Sequence, residues 1–307
     1  MSIALETTNL GKRYGFSRRW ALRECALSLP AGRVAALVGP NGAGKTTLLQ
    51  LAVGLLQPTE GKVRVFGHSP FEQQREVLPR VGFVAQGHPL YKGFSVADLL
   101  TMGRKLNPNW NQQVAVERLK AIDIPLNWRV GRLSGGQQAQ VALALALAKQ
   151  PDLMLLDEPL ASLDPLARRN LLSVLMGATA ERGLTVLLSS HIITDLERVC
   201  DYLILLSASH VQLAGDIDGI VRSHKWLLGP RTDTSAIASI HSIIQESHTN
   251  RQTRLLVRVN EHLFNASWEV HDAILEDIVL AYMGQTMSYD APVEPPTLQR
   301  VRKETAL

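Results

Sequence analysis

A glycine-rich segment near the start of the chain has the composition of a phosphate-binding loop. Residues 39–47 fit the pattern G-x-x-x-x-G-K-[ST] and lie between a strand-like run and a helix-like run. Glycines let successive backbone N–H groups turn towards one anion, and the positive end of the following helix adds to the attraction. The predicted phosphate-binding residues are Gly39, Pro40, Asn41, Gly42, Ala43, Gly44, Lys45, Thr46 and Thr47.

Two side chains of this loop have more specific expected roles. Lys45 is expected to reach the β- and γ-phosphates of ATP as a point charge, and the Thr46 hydroxyl is expected to ligate Mg²⁺. The alternative is a glycine turn with a solvated lysine, which the flanking strand and helix argue against. ATP and Mg²⁺ are therefore the predicted cofactors.

A second group with possible chemistry is a pair of adjacent acids that ends an apolar run, Leu-Met-Leu-Leu-Asp-Glu-Pro at residues 153–159. Successive strand side chains point to opposite faces, so we expect the two carboxylates to have different roles. Asp157 is the candidate for holding Mg²⁺ through water, and Glu158 for polarising the water that attacks the γ-phosphate. The alternative, a strand that simply meets solvent, loses force beside a phosphate-binding loop.

The elements that must position these groups form a mixed sheet with helices on its faces. Period-two and apolar runs predict strands, and three helical patterns fill an insertion between Gly87 and Gln150. The predicted strands are residues 3–10, 25–29, 33–38, 62–66, 81–86, 153–157, 185–189 and 202–206; the insertion helices are 96–106, 112–122 and 137–148.

The chain is predicted to divide into three parts. Residues 1–215 form the core with its insertion at about 87–150, residues 216–284 form an accessory α+β region, and residues 285–307 form a loose tail with three prolines. In the accessory region we expect strands at 225–228 and 253–259 and a helix over 269–283. The apolar stripe of that helix is Val270, Ile274, Ile278 and Ala281.

Composition excludes few functions. The net charge of +4 selects no anionic partner, and two cysteines far apart suggest neither a disulfide framework nor a zinc site. The N-terminus has no secretory signal pattern. The longest apolar stretch, Val141 to Ala148, is shorter than the roughly 20 residues of a membrane span, so we expect another chain to cross any membrane involved.

A pentapeptide that precedes the acidic pair carries a resemblance. Residues 133–137 read Leu-Ser-Gly-Gly-Gln, and the chain resembles the ATP-binding-cassette (ABC) family, of which this is the signature. Ser134 with Gly135, Gly136 and Gln137 at a helix start is suited to bind a second anion. The resemblance implies that the signature of one subunit closes over ATP held by the phosphate loop of another, head to tail. It also implies a P-loop NTPase core of ABC ATPase type, with an antiparallel β subdomain.

Other positions match the family pattern residue by residue. Tyr14 matches the aromatic that stacks on adenine, although a core aromatic near Trp20 is an alternative. Gln86 matches the glutamine that contacts metal and water, although its strand-end position is all that marks it. The resemblance further implies that Asp164 reaches across the dimer and that His191 contacts the γ-phosphate, with a merely structural histidine as the alternative.

One departure from the family is expected to matter. Members often carry arginines in the helix after the signature, whereas this chain has uncharged side chains there, at Gln138, Ala139, Gln140 and Leu145. The loss of positive charge is expected to weaken coupling to the nucleotide. Because Glu158 and His191 are present, a hydrolytically competent site is still predicted.

The resemblance implies a transporter ATPase at the cytoplasmic face of the cell membrane. Its expected partners are a second ATPase subunit, identical or not, and integral membrane permease subunits, with no nucleic acid. The run 275–284 is similar to the closing helix of bacterial drug, antibiotic and lipid exporter ATPases, which favours export. The alternatives are an importer ATPase, a soluble ABC ATPase acting on ribosomes or DNA, and a regulatory nucleotide-binding module without hydrolysis.

Overall fold

The molecule is described by a computed structural model covering residues 2–15, 19–161, 163–190, 193–260 and 268–289, with the backbone alone at 194, 195 and 285–289. The strands are β1 (Ile3–Arg13), β2 (Trp20–Pro30), β3 (Val34–Val38), β4 (Glu60–Val65), β5 (Val81–Val84), β6 (Leu153–Leu156), β7 (Thr185–Ser190), β8 (Tyr202–Ser207), β9 (His210–Asp216), β10 (His224–Pro230), β11 (Ser242–His248), β12 (Gln252–Arg258) and β13 (Glu269–Asp272). The helices are α1 (Lys45–Ala52), α2 (Gln74–Val77), α3 (Val96–Leu106), α4 (Gln112–Ala121), α5 (Gly135–Ala148), α6 (Pro165–Arg182), α7 (Ile193–Glu197), α8 (Ile217–Ser223), α9 (Ser235–Ile240) and α10 (Leu275–Tyr289).

A six-stranded mixed sheet forms the centre of the fold, in the order β5-β6-β7-β3-β8-β9. The pairs between β5 and β8 are parallel, and β9 pairs antiparallel with β8. β3, β6 and β7 are buried along their whole length, as expected for parallel strands covered on both faces. The predicted α/β class with a mixed sheet is confirmed.

Each face of this sheet has its own core. Alternate residues of β3 divide between the faces, so that Leu37 packs with Leu48 of α1 while Ala36 packs with Leu143 of α5 and other helical residues. The first face is closed by an antiparallel sheet of order β2-β1-β4, the predicted β subdomain. The phosphate-binding loop therefore starts from a strand held on both sides.

The insertion is helical, as its sequence patterns predicted, and it has a separate small core. α3 spans the predicted residues and begins at Ser95, whose hydroxyl accepts the Asp98 N–H while the Asp98 carboxylate accepts the Ser95 N–H. α5 is buried on two sides because Val141 faces the insertion core and Leu143 faces the sheet. α5 thus connects the insertion to the central sheet.

The accessory region is a four-stranded antiparallel sheet of order β11-β12-β10-β13. One sheet face contributes Trp226 and Leu256 to the core that also contains Ile278 of α10 and the helices of the central sheet. The opposite face holds Leu255 and Val257 in a smaller cluster with Ile237 of α9. The domain boundaries stay a prediction, although this packing is consistent with an accessory region that begins after β9.

The predicted helix over 269–283 is wrong in its first part. Residues 269–272 form β13, because they pair with β10 from Lys225 opposite Asp272 to Leu228 opposite Glu269. Of the predicted stripe, Ile278 is buried in α10 while Val270 and Ile274 are exposed. α10 extends to Tyr289, into the segment predicted as a tail; residues 290–307 lie outside those described.

A buried histidine joins α10 to the accessory sheet. His224 is fully buried, with Nδ1 2.7 Å from the Ile220 carbonyl oxygen and Nε2 3.1 Å from the Tyr282 hydroxyl. Burial lowers the pKa of His224 from 6.5, more than the bond to Ile220 raises it, and the charge on Arg258 lowers it further.

This environment predicts a loss of stability in mild acid. As the pH falls through about 6.5, the unfolded histidine binds a proton more readily than the folded one, so the free energy of unfolding falls, with a limiting slope of about 1.4 kcal/mol per pH unit. The measurement is the melting temperature against pH for wild type, His224→Gln and the exposed control His271→Gln. Equal slopes for all three proteins would contradict the prediction.

Within the described residues, no helix combines the length and apolar character needed to cross a bilayer.

Candidate nucleotide site

Three of the predicted groups follow strands that end at one edge of the central sheet. Val38, the last residue of β3, pairs with Ser190 of β7, and Val84 of β5 pairs with Leu156 of β6. The segments that follow these strands therefore lie side by side. They are the loop 39–47 after β3, Gln86 after β5, and the acidic pair after β6.

The lysine of the loop donates hydrogen bonds to the loop's own backbone. Lys45 is buried, and its Nζ donates to the carbonyl oxygens of Gly39 at 2.8 Å and Pro40 at 3.3 Å. No side chain caps the start of α1, and its first turn contains no acid. The free N–H groups and the positive end of this helix can accept an anion.

The loop needs glycine at two positions for different reasons. Gly44 has φ +103°, and a Cβ there would meet the Ala21 carbonyl oxygen and the Leu22 side chain. Gly42 has φ +84°, and a Cβ there would meet open space. Position 44 is thus limited by conformation and by space, and position 42 by conformation alone.

Alanine substitutions should separate these two causes. Gly42→Ala is expected to cost about 1–2 kcal/mol of stability, and Gly44→Ala about 3 kcal/mol or more with loss of nucleotide binding, since backbone must move. Urea unfolding and equilibrium binding of a fluorescent ATP analogue measure both effects. Equal losses in the two variants would show that the space around Gly44 is unimportant.

The acidic pair follows β6 directly and lies outside the strand, so strand alternation does not set the directions of its two side chains, and the expectation that they have different roles stays a prediction. β6 ends at Leu156, and Glu158 has φ +49°, outside the strand region. This backbone places Glu158 Oε1 3.8 Å from Lys45 Nζ. The carboxylate that was predicted to act on water therefore lies beside the lysine predicted to bind phosphate.

Asp157 is held from one side only. The hydroxyl of Ser189 on β7 donates to Asp157 Oδ1 at 2.9 Å, while Oδ2 is buried without a hydrogen-bond partner among the described residues. A buried carboxylate oxygen left unpaired is costly unless another ligand satisfies it. This orphan oxygen fits the donor set of a hard cation such as Mg²⁺.

Tyr14 lies beside the loop and is not a core aromatic, since 46% of it is exposed. Its hydroxyl is 3.1 Å from Thr47 Oγ1, and Lys12 Nζ lies 5.6 Å from the ring centroid. Trp20 is engaged by the guanidinium of Arg13, 4.6 Å from its ring. Of these two aromatics, Tyr14 is the more exposed.

The remaining predicted groups differ in how the structure places them. Thr46 is half-buried at the start of α1, and Gln86 is exposed in the turn after β5. His191 lies outside the described residues.

The signature residues lie in a different cleft from the loop. Ser134 is exposed at the start of α5, where its hydroxyl accepts the Gln137 N–H at 3.2 Å and the Gln137 side chain accepts the Ser134 N–H at 3.0 Å. With Gly135, Gly136 and Asp164 it lines a cleft of about 550 Å³. No described residue lining this cleft belongs to the loop 39–47 or the acidic pair.

Asp164 has a structural role in addition to its position in that cleft. Its carboxylate accepts the backbone N–H groups of Leu166 and Ala167 and so caps α6.

A positive side chain from a different helix contacts the uncharged face of the helix after the signature, and the predicted effect of that face on coupling to the nucleotide stays a prediction. Arg118 of α4 donates from Nη2 to Gln140 Oε1 at 2.6 Å, so a guanidinium reaches the uncharged face of α5. Burial lowers the pKa of Arg118 to about 10. No local pattern signals this contact, because the two residues lie on different helices.

The chain is similar to known proteins over most of its length. A family model described as ABC transporter matches residues 22–161. The bacitracin transport ATP-binding protein BcrA of Bacillus licheniformis is 25% identical over 288 residues, covering 93% of this chain and 87% of BcrA. The thiamine import ATP-binding protein ThiQ of Vibrio parahaemolyticus is 34% identical over 204 residues, covering 64% of this chain and 86% of ThiQ.

Two further similarities are to a protein named for export and to a cassette solved as a dimer. The Nod factor export ATP-binding protein I of Rhizobium johnstonii is 35% identical over 211 residues, 67% of each chain. A solved dimeric structure of the ATP-binding cassette MJ0796, in a post-hydrolysis state with ADP and Pi bound, has 26% identity and a TM-score of 0.63. The matched region covers 69% of this chain and 98% of that cassette.

Proposed function

Since the chain belongs to the ABC transporter family, as an ATP-binding and ATP-hydrolysing subunit of a transporter, we propose that the edge formed by residues 39–47, Asp157 and Glu158 is where it hydrolyses ATP. The observation that carries this assignment is the 3.8 Å approach of Glu158 Oε1 to Lys45 Nζ. It brings a candidate base and a phosphate-binding cation to one place.

In this proposal the loop binds the phosphates and Glu158 acts on water. Lys45 exchanges the carbonyl oxygens of Gly39 and Pro40 for phosphate oxygens of ATP. Glu158 accepts a proton from the water that attacks the γ-phosphorus, and the bond to the bridging oxygen breaks to give ADP and phosphate. Tyr14 stacks on adenine through the ring face not occupied by Lys12.

The proposed Mg²⁺ site consists of Thr46, Gln86 and Asp157. Its support is the buried, unpaired Oδ2 of Asp157. Bound Mg²⁺ would neutralise charge on the phosphate oxygens. Asp157 and Thr46 would orient it from the two segments that follow β6 and β3.

The second half of the site is proposed to come from another cassette. Cassettes of this family dimerise and work with membrane components. Support for a head-to-tail pair is that Ser134 and Asp164 line a cleft separate from their own loop. Ser134, Gly135, Gly136 and Gln137 would then bind the γ-phosphate of the partner's ATP. His191, by its match to the family pattern, is proposed to contact the γ-phosphate of ATP.

The insertion is proposed to carry the docking surface for a permease at the cytoplasmic face of the membrane. Tyr91 and Phe94 stack with centroids 5.3 Å apart and are both exposed, as is Trp128. Exposed aromatic clusters are typical of interfaces. They follow Gln86 in the chain, so nucleotide contacts at that residue can move them.

For direction we propose export, with import as the alternative. The Nod factor export ATP-binding protein I, an export protein by name, is 35% identical over 67% of this chain, and ThiQ, an import protein by name, is 34% identical over 64%. Sequence similarity of α10 to exporter closing helices favours export.

Purification of the full chain from detergent-solubilised membranes tests the assignment. The expected result is an integral membrane protein recovered in an ATP-dependent complex and lost when Tyr91 and Phe94 are replaced by Ser. Recovery together with a solute-binding protein would contradict export. Recovery with ribosomes or DNA and no membrane protein would contradict the docking proposal.

A further inference from the structure

Ser189 is a buried hydroxyl that contacts both members of the acidic pair. It lies near the end of β7, opposite Leu37 of β3, and is fully buried. Its Oγ is 2.9 Å from Asp157 Oδ1 and 2.8 Å from the backbone nitrogen of Glu158. One side chain from a neighbouring strand therefore reaches the two residues that the proposed reaction depends on.

The chemistry of the groups fixes the direction of both hydrogen bonds. The backbone N–H of Glu158 can only donate, so Ser189 Oγ accepts from it. The carboxylate oxygen of Asp157 accepts, so it takes the single proton of the hydroxyl. The hydroxyl is thus held in one orientation, with its donor and one lone pair in use.

These two bonds have separate consequences for the site. The bond to Asp157 occupies Oδ1 and leaves Oδ2 as the unpaired oxygen that is available to a cation. The bond to Glu158 N–H stabilises a left-handed backbone, φ +49°, that a non-glycine residue rarely adopts. That backbone is what places the Glu158 carboxylate near Lys45.

We propose that Ser189 is a positioning residue for ATP hydrolysis, which selects the metal-facing oxygen of Asp157 and sets the backbone of Glu158. This inference rests on the proposed roles of those two carboxylates. Groups that orient a metal ligand or a catalytic group commonly change activity or metal affinity 10- to 100-fold when removed. Ser189 orients both at once.

The same strand provides a matched control. Thr185, at the opposite end of β7, is also fully buried, and its hydroxyl accepts the Gly32 N–H at 2.9 Å. Thr185→Val and Ser189→Ala each remove one buried hydroxyl that pairs with a backbone N–H. Only Ser189→Ala removes contacts to the acidic pair. A general loss of strand stability should affect both variants alike.

The experiment compares wild type with Ser189→Ala, Ser189→Thr and Thr185→Val. Ser189→Ala is expected to lower kcat about 10- to 100-fold and raise the Mg²⁺ concentration needed for half-maximal turnover. Its affinity for ADP without Mg²⁺ should stay within about twofold of wild type, because the loop 39–47 is untouched. Ser189→Thr keeps the hydroxyl and should recover most of kcat, and Thr185→Val should keep kcat while lowering the melting temperature.

Two results would overturn the inference: a kcat for Ser189→Ala within about twofold of wild type, or an equal fall in Thr185→Val. Should the alanine variant fail to fold, Ser189→Cys keeps a weak donor of similar size and should give an intermediate kcat. Glu158→Gln separates this inference from its premise. If that variant loses turnover while Ser189→Ala does not, positioning by Ser189 is wrong and the role of Glu158 stands; if it retains turnover, the premise fails first.

Discussion

Replacing Glu158 with Gln is expected to lower the steady-state rate of ATP hydrolysis by about 10²- to 10⁴-fold, the usual contribution of a general base. Glutamine keeps the size of the side chain and removes its capacity to accept a proton from water. The change also removes the negative charge 3.8 Å from Lys45 Nζ. Lys45 then keeps its contacts to Gly39 and Pro40 and stays available for phosphate.

Nucleotide binding is the control that separates chemistry from binding. Affinity for ADP should be retained or increased in Glu158→Gln, because the lysine no longer shares its charge with a carboxylate. Glu181→Gln, an exposed acid near the end of α6, should hydrolyse ATP like wild type. Phosphate release and equilibrium ADP binding measure both quantities, and equal turnover in Glu158→Gln and wild type would remove Glu158 from its proposed role.

The features that could be predicted from the sequence are those specified by residues close together in the chain. The loop 39–47 and the capped helix α3 are specified by residues within a few positions of one another. The loop lies between a strand and a helix as predicted, and α3 has the predicted bounds. The carboxyl ends of parallel strands meet by topology, so the loop and acidic pair could be brought together without coordinates.

The contacts that sequence could not predict join distant elements. Ser189 reaches Asp157 from another strand, and Arg118 reaches Gln140 from another helix. Ser189 is a polar residue that follows an apolar run, which does not identify its partner, and no local pattern signals the contact between Arg118 and Gln140. The left-handed backbone of Glu158 is likewise set by a tertiary hydrogen bond against local preference.

The accessory region shows the same limit for secondary structure. Residues 269–272 are exposed along the whole of β13, so no burial pattern marks them as a strand. Pairing with β10 fixes their conformation, and that pairing depends on residues far away in the chain.

If each ATP site is shared between two copies of the chain, as proposed, mixing two inactive variants should restore turnover. Lys45→Ala and Ser134→Arg should each lower turnover about 10²- to 10³-fold, since each removes a group that binds the terminal phosphate. In a head-to-tail pair of this chain, a mixed dimer has one site with both lesions and one site with neither. Random pairing of equal amounts should recover about one quarter of wild-type turnover.

A site contained within one chain would behave differently, because every site of a mixed dimer would then carry a lesion and no turnover would return. Ser95→Arg is the control for damage to a helix start, since Ser95 caps α3 with the same pair of bonds that Ser134 makes on α5. It should lose stability by about 0.5–2 kcal/mol and leave turnover unchanged. Recovery upon mixing would therefore support the proposal that Ser134, whose cleft with Asp164 is separate from its own loop, acts on the nucleotide of a partner.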